Sequence, residues 1–236
     1  MAFRYSPKIV TDSLSFYVDA TNTKSFVSGS TSWNDLSRSG NNGTLTNGPT
    51  FTSSNGGGIT FDGIDDYATV NNVISNNSDF SIGFWMNYLG GDAQLGIIST
   101  WDTSWNGIGL ATSNFGSGGI WTLRSWTNNG ASGGMNWGVL NNLKNTWSHI
   151  VLTYNFASKL QSGYINGELL NSEVRGTALT HSTLQIARGG QTSSSQLSAY
   201  PYSNIRISNL IVYNKVLSQQ EILQNYNATK SRFGLT

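Results

Sequence analysis

The chain has 236 residues, of which 13 are Lys or Arg, 12 Asp or Glu, two His and none Cys. Only 11% are charged, while Gly, Asn, Ser and Thr together fill 110 positions, so there are too few Glu, Lys and Arg to clothe a helical bundle. With 8 Trp, 10 Tyr and 10 Phe the chain has ample apolar surface for a core, which excludes disorder; a net charge of +1 spread over single basic residues excludes a nucleic-acid footprint, and the lack of Cys excludes thiolate chemistry.

In chain order, short runs alternating between apolar and polar residues recur between Gly, Asn and Ser clusters, the pattern of an all-β sandwich or barrel. Strands are expected at 13–19, 43–46, 58–62, 66–71, 79–88, 94–100, 107–112, 120–126, 135–139, 147–154, 160–166, 168–174, 183–187 and 204–213. In the fifth, Phe80, Ile82, Phe84, Met86 and Tyr88 share the face that points into the core. Trp85, on its other face, is either a surface stacker or covered by a loop. Asn166-Gly167 between two strands marks a tight hairpin with positive φ at both turn positions. Ser218, with Glu221 three residues on, predicts a capped helix whose apolar side is Ile222, Leu223 and Tyr226, packed at the sandwich edge or closing one end. The stretches 20–58 and 188–203 read as long surface loops.

No composition break divides the chain, so one domain over 1–236 is expected, with an N-terminal arm at 1–12 and a helix and tail at 218–236. The start, MAFRYSPKIV, lacks the apolar stretch of a signal peptide, and no run is long enough for a membrane span. The expectation is a protein that is not inserted in a membrane and that, if it works outside a cell, leaves by a route other than ordinary secretion.

Several segments together resemble one family. They are Phe16-Tyr17-Val18-Asp19-Ala20-Thr21-Asn22, Trp33-Asn34-Asp35-Leu36-Ser37 with Gly40-Asn41-Asn42-Gly43-Thr44-Leu45, and Ile59-Thr60-Phe61-Asp62-Gly63-Ile64-Asp65-Asp66-Tyr67. Further along come Phe80-Ser81-Ile82 with Trp85, Trp147-Ser148-His149-Ile150-Val151-Leu152-Thr153-Tyr154, Ile165-Asn166-Gly167, and Ile211-Val212-Tyr213-Asn214-Lys215-Val216-Leu217-Ser218. Their order and spacing are similar to the laminin-G-like, concanavalin A-like lectin and glucanase jelly rolls. The resemblance implies an antiparallel two-sheet jelly-roll sandwich with one short C-terminal helix. The tail, Ile222-Leu223-Gln224-Asn225-Tyr226-Asn227-Ala228 and Arg232-Phe233-Gly234-Leu235, resembles the members that are virion structural proteins of tailed bacteriophages. That implies assembly in the host cytoplasm, a place on the virion surface in several copies or as a homo-oligomer, other virion proteins as partners, and host-surface glycans as ligands.

Glycoside hydrolysis needs two carboxylates flanking the scissile bond. The chain has three Glu: Glu221 caps the helix, and Glu168 and Glu173 are five apart on a strand, on opposite faces. No catalytic residue is assigned, and a non-enzyme is expected. His149 reads as a packed strand residue and His181 as a solvated loop residue. No cofactor is required; calcium is the one metal with candidate ligands, Asp62, Asp65 and Asp66, with Asp19 beside Asn22 as a second place. The alternative for Asp62-Gly63 is a tight turn with solvated acids.

The remaining signal is aromatic. Trp101, Trp105, Trp121, Trp126 and Trp137 fall close together among Asn residues, and indole faces stack on sugar rings while amides and guanidiniums bind hydroxyls. Trp121 shares the face of Leu123 and belongs to the core. Trp126 shares the face of Thr122 and Arg124, so Trp126, Arg124, Asn128 and Trp105 are the expected carbohydrate-binding residues. Three functions compete: a virion protein with a lectin-like domain, a purely structural capsid-stabilising module, and a carbohydrate-active enzyme, which the missing carboxylate pair disfavours.

Overall fold

The computed structural model describes residues 8–90, 94–101, 106–114, 121–127, 134–139, 143–175, 183–190 and 199–236. Its strands are β1 (Leu14–Asp19), β2 (Ser32–Trp33), β3 (Gly43–Thr46), β4 (Thr50–Thr52), β5 (Gly58–Asp62), β6 (Tyr67–Val70), β7 (Phe80–Gly90) and β8 (Gly96–Ser99). They continue with β9 (Ile108–Asn114), β10 (Trp121–Thr127), β11 (Met135–Val139), β12 (Trp147–Asn155), β13 (Leu160–Ile165), β14 (Glu168–Val174), β15 (Leu184–Ile186) and β16 (Asn204–Tyr213). Helix α1 (Gln219–Thr229) and a 3-10 turn (Lys230–Phe233) follow. Every strand expected from the alternation is present. Two more, β2 and β4, lie in the stretch 20–58 that reads as loop. At two and three residues they are too short to show a period, and pairing with β3 and β5 holds them.

The strands form two antiparallel sheets. The first has the order β14-β13-β12-β7-β16-β5-β4, with β1 also on β16; the second runs β11-β10-β9-β8-β15-β6-β3-β2. Strand β1 pairs with the C-terminal half of β16 and β5 with its N-terminal half, so the two share one side of β16. The core fills the space between the sheets, and the expected face of β7, Phe80, Ile82, Phe84, Met86 and Tyr88, lies in it. Trp137 Nε1 donates to Ser125 Oγ at 2.7 Å, and the Gln161 amide reaches the same hydroxyl from the first sheet. Asn166 and Gly167 both have positive φ, 53° and 84°, and close the hairpin between β13 and β14 as expected.

The helix departs from both placements expected for it. Ser218 and Glu221 form the capping box, but α1 lies on the outer face of the first sheet rather than at an edge or end. The reason is in the strands: β7, β12 and β16 are largely buried on both faces, and the outward apolar set Val151, Ile211 and Tyr213 packs with Leu217 and Ile222 into a second cluster. Asn225 is buried in this contact. Its Nδ2 donates to the Tyr213 hydroxyl at 3.0 Å, and its Oδ1 accepts from the Val10 amide at 2.8 Å. Farther along, Trp85 stacks on Phe233 at 4.1 Å and on Tyr226 at 5.8 Å, and its Nε1 donates to Thr229 Oγ1 at 2.8 Å. Trp85 is therefore covered, by the C-terminal segment instead of a loop.

His149 lies under the same cover, 5.4 Å from the Trp85 ring. Burial alone pushes its pKa down to about 3, so it is neutral at ordinary pH. The unfolded chain takes up this proton near pH 6.5 and the folded chain does not, so the stability His149 permits is full above pH 6.5 and declines as pH falls toward 3. Urea melts between pH 7 and 4 should show a loss that His149→Gln makes shallower. Parallel slopes for the two proteins would contradict this account.

Candidate functional site

The outer face of the second sheet is built by alternation. In β10, Leu123 and Ser125 point inward, while Thr122, Arg124 and Trp126 point outward, as the spacing predicts. Across the sheet Trp126 faces Gly109, Gly109 faces Ser99, Ser99 faces Gln185 and Gln185 faces Thr69. This row carries small and polar side chains where the inner face carries Leu and Ile.

Trp126 itself differs from expectation. It is only 5% exposed, because Trp101 and Tyr200 pack on it with ring centroids 6.5 and 5.3 Å away. Glycine at 109 makes room for this group: a Cβ there would stand 2.1 Å from the Trp101 ring. Alternation told which face Trp126 takes but not that two aromatics from other segments cover it. Arg124 is half-buried beside it, its Nε donating to Thr122 Oγ1 at 3.4 Å and one NH to the Gly134 carbonyl at 3.3 Å. Burial, then the Arg175 charge, hold its pKa below the usual arginine range, with Glu173 and Tyr200 acting against them. Asn128 and Trp105 lie outside the described residues, as do His181 and the side chain of Trp121.

The structure adds a residue that sequence reading missed. Arg188 is 6% exposed, its guanidinium lies 3.6 Å from the centre of the Tyr67 ring, and its Nε donates to Gln185 Oε1 at 2.8 Å. No carboxylate among the described residues pairs with it. Two residues on, the Gly190 amide donates to Ser99 Oγ at 2.7 Å. The available signal was an Arg-Gly-Gly at the end of a strand, opening a stretch already read as a surface loop.

The candidate metal ligands separate. Asp62, Asp65 and Asp66 bring carboxylate oxygens within 4.8 Å of one another. The turn already uses two of the three: Asp62 Oδ1 accepts from the Ile64 amide at 2.8 Å, and Asp66 Oδ2 accepts from the Asp62 amide at 3.2 Å. The Ile64 amide lowers the pKa of Asp62, whereas burial raises that of Asp66. Asp19 is instead engaged by an arginine. Both its oxygens bind Arg232, at 2.8 and 3.1 Å, and Oδ1 also accepts from the Thr21 amide and hydroxyl. Its partner is 213 residues away, beyond the reach of local pattern reading.

The glutamates are likewise engaged separately. Glu221 caps α1 and binds Lys215 at 2.6 Å, and Glu173 receives Arg175 Nε at 2.8 Å. Glu168 lines a cleft of about 630 Å³ whose other lining residues, Trp137, Leu143, Ile165, Asn166, Leu170 and Tyr226 among them, include no second carboxylate.

Two measurements follow. Trp126→Ala should cost ~3–5 kcal/mol in a denaturant melt, the cost of emptying a packed tryptophan site; a melt within error of wild type would mean an open ring. A chelator should leave the melting temperature unchanged, since backbone amides already hold the 62–66 turn. A fall on chelation that calcium restores would assign the turn to a metal, because binding to the folded state alone raises stability.

Comparison with known proteins places the architecture. The family described as the concanavalin A-like lectin/glucanases superfamily, in its laminin G form, matches residues 61–223. No curated protein sequence matches the chain. Among solved structures, Trypanosoma rangeli sialidase in complex with sialic acid superposes with a TM-score of 0.67 at 17% identity, covering 93% of this chain and 33% of the sialidase. The binding domain of Paraclostridial Mosquitocidal Protein 1 gives 0.63 at 18% identity, covering 92% of this chain and 52% of that one. The botulinum neurotoxin serotype D binding domain gives 0.60 at 15%, with 92% and 52% covered. The chain thus spans a third to a half of the length of these structures, and what it shares with them is the fold. On the family match over most of its length and on its two antiparallel sheets, the chain belongs to the concanavalin A-like lectin/glucanases superfamily.

Proposed function

We propose that this protein is a non-catalytic, lectin-like virion protein of a tailed bacteriophage, a decoration or fibre component that binds host-surface carbohydrate through the outer face of its second sheet. Arg188 carries the reading. Burying a guanidinium without a countercharge is costly, and a fold retains such a group where a ligand completes its hydrogen bonds. Stacking on Tyr67 and the bond to Gln185 hold it in one orientation, with Arg124 on the same outer face of the sheet. Arginine forks, amides and aromatic faces are the groups that bind sugar hydroxyls and ring faces.

The non-catalytic part rests on the carboxylates: Glu173 and Glu221 have ionic partners, and no second acid lines the Glu168 cleft. The virion part rests on the resemblance of the tail and on a physical argument. Single sugar sites are weak, and linking copies raises avidity ~10²–10⁴-fold, which a repeated virion protein supplies. One observation favours the purely structural alternative: edge strand β14 exposes Leu169, Leu170 and Val174, a surface suited to a subunit contact.

A glycan array with wild type, Arg188→Met and Arg124→Ala, each also melted, tests the reading. Wild type should bind and both variants lose binding, and Arg188→Met should melt no lower than wild type because it removes an uncompensated buried charge. Undiminished binding by Arg188→Met, or a substantial fall in its melting temperature, would make Arg188 a structural residue. An array silent for wild type would favour the subunit-contact alternative.

A further inference from the structure

Strand β14 ends the first sheet, and an end strand presents a row of backbone N–H and C=O groups to whatever lies beside it. Folded proteins blunt such edges by keeping the end strand short or by charging it. The opposite ends of the two sheets obey this, since β4 and β2 have three and two residues. β14 has seven, and it exposes Leu169, Leu170 and Val174 by 52%, 43% and 73%.

The strand is also complementary to itself. Asn171 lies opposite Gly163 and Leu169 opposite Tyr164, so Leu170 is the extra residue of a bulge, and the side chains on either side of it keep their faces. Leu169 and Val174, opposite Tyr164 and Leu160, share the outer face, where Tyr164 packs on the second cluster. Glu168 stands at one end of the strand, exposed and with no ionic partner among the described residues. At the other end are Arg175 and Lys159, joined by the Arg175 amide donating to the Lys159 carbonyl at 2.8 Å. An antiparallel copy of β14 therefore meets unlike charge at each end. With the two-fold axis at Ser172, Leu169 falls opposite the partner's Val174, Glu168 opposite the partner's Arg175, and Leu170 with Asn171 opposite the partner's Glu173. Every one of these pairs joins residues of the same face, because the bulge of each copy is matched about the axis.

We propose that the chain forms a two-fold dimer in which β14 pairs antiparallel with β14 of a second copy, joining the two first sheets edge to edge. Across the outer face of the joint run Leu160, Val174, the partner's Leu169 and the partner's Tyr164, a row that the axis repeats. Apolar pairs placed opposite one another on neighbouring strands stabilise a sheet, and opposite charges at its ends fix the register. The contact uses none of the residues assigned to carbohydrate above, so either proposal can fail without the other.

Sedimentation equilibrium of the full chain tests this. The mass should rise with concentration from 25.5 kDa to twice that value and no further, because a two-fold contact closes on itself. The double variant Leu169→Lys, Val174→Lys changes exposed positions, so it should keep the near-ultraviolet circular dichroism of the wild type; it should stay at the monomer mass throughout, since lysine would face lysine across the axis. The chain has no Cys, so Ser172→Cys can form a disulfide only with another copy. Facing residues of antiparallel strands have Cα atoms about 4.5–5.5 Å apart, within disulfide reach, and mild oxidation should link this variant into dimers. Ser54→Cys, exposed beside β4 at the far end of the sheet, should link no faster than random collision allows. A wild type that remains at 25.5 kDa at every concentration up to its solubility limit overturns the proposal and leaves the edge to a different protein. It is equally overturned by growth past the dimer, by a dimer that the double lysine variant leaves intact, or by Ser172→Cys linking no faster than Ser54→Cys.

Discussion

Strands β7, β12 and β16 are largely buried on both faces, and a sheet with such a centre is stable only when both faces are shielded from water. The facing sheet shields one side. The other is shielded by the last eighteen residues, whose aromatic rings close over Trp85 and His149. That cover is fastened by polar contacts, Asn225 to the nearby Tyr213 and two that cross nearly the whole chain, Asn225 to Val10 and Arg232 to Asp19. Each of these groups is buried or half-buried, so losing one partner strands the other, and the tail and the two strands it binds stand or fall together.

The consequence for function is a division between the sheets. On the first, the centre of the outer face is closed by aromatic packing. On the second, the outward row of Gly109, Ser99, Gln185 and Thr69 offers little apolar surface to attract such a cover. Trp101, Trp126 and Tyr200 form a small aromatic cluster of their own there. The basic groups Arg124 and Arg188 lie on this face, while Asp62 and Asp66 are held in a turn, Glu221 in a helix cap, and Asp19 and Glu173 in ion pairs. It is on this face, with its guanidiniums and aromatics, that we place the proposed recognition.

Much of the fold was legible in the sequence because each strand reports its own environment. The alternation in β7 and β10 fixed which residues point inward, and the Asn166-Gly167 turn and the Ser218-Glu221 box are local chemistry with one good solution each. What failed to be legible was whatever depends on a remote segment. Trp126 was placed on the correct face, but its burial depends on Trp101 and Tyr200. Asp19 looked like a metal ligand until Arg232 was brought against it. Arg188 gave almost no signal, since its meaning lies in Tyr67, 121 residues earlier in the chain.

By itself, then, the sequence determined the all-β class, the strand positions, the inward faces and the helix, because these follow from backbone geometry and the two-residue period of side chains. The family resemblance, carried by motifs spread over the chain, added the two-sheet jelly roll. The tertiary structure alone decided which outward-facing residues are covered, which acids have cationic partners and where a cleft opens. Those outcomes are set by contacts between segments far apart in the chain, and no local pattern of residues encodes the distance between them.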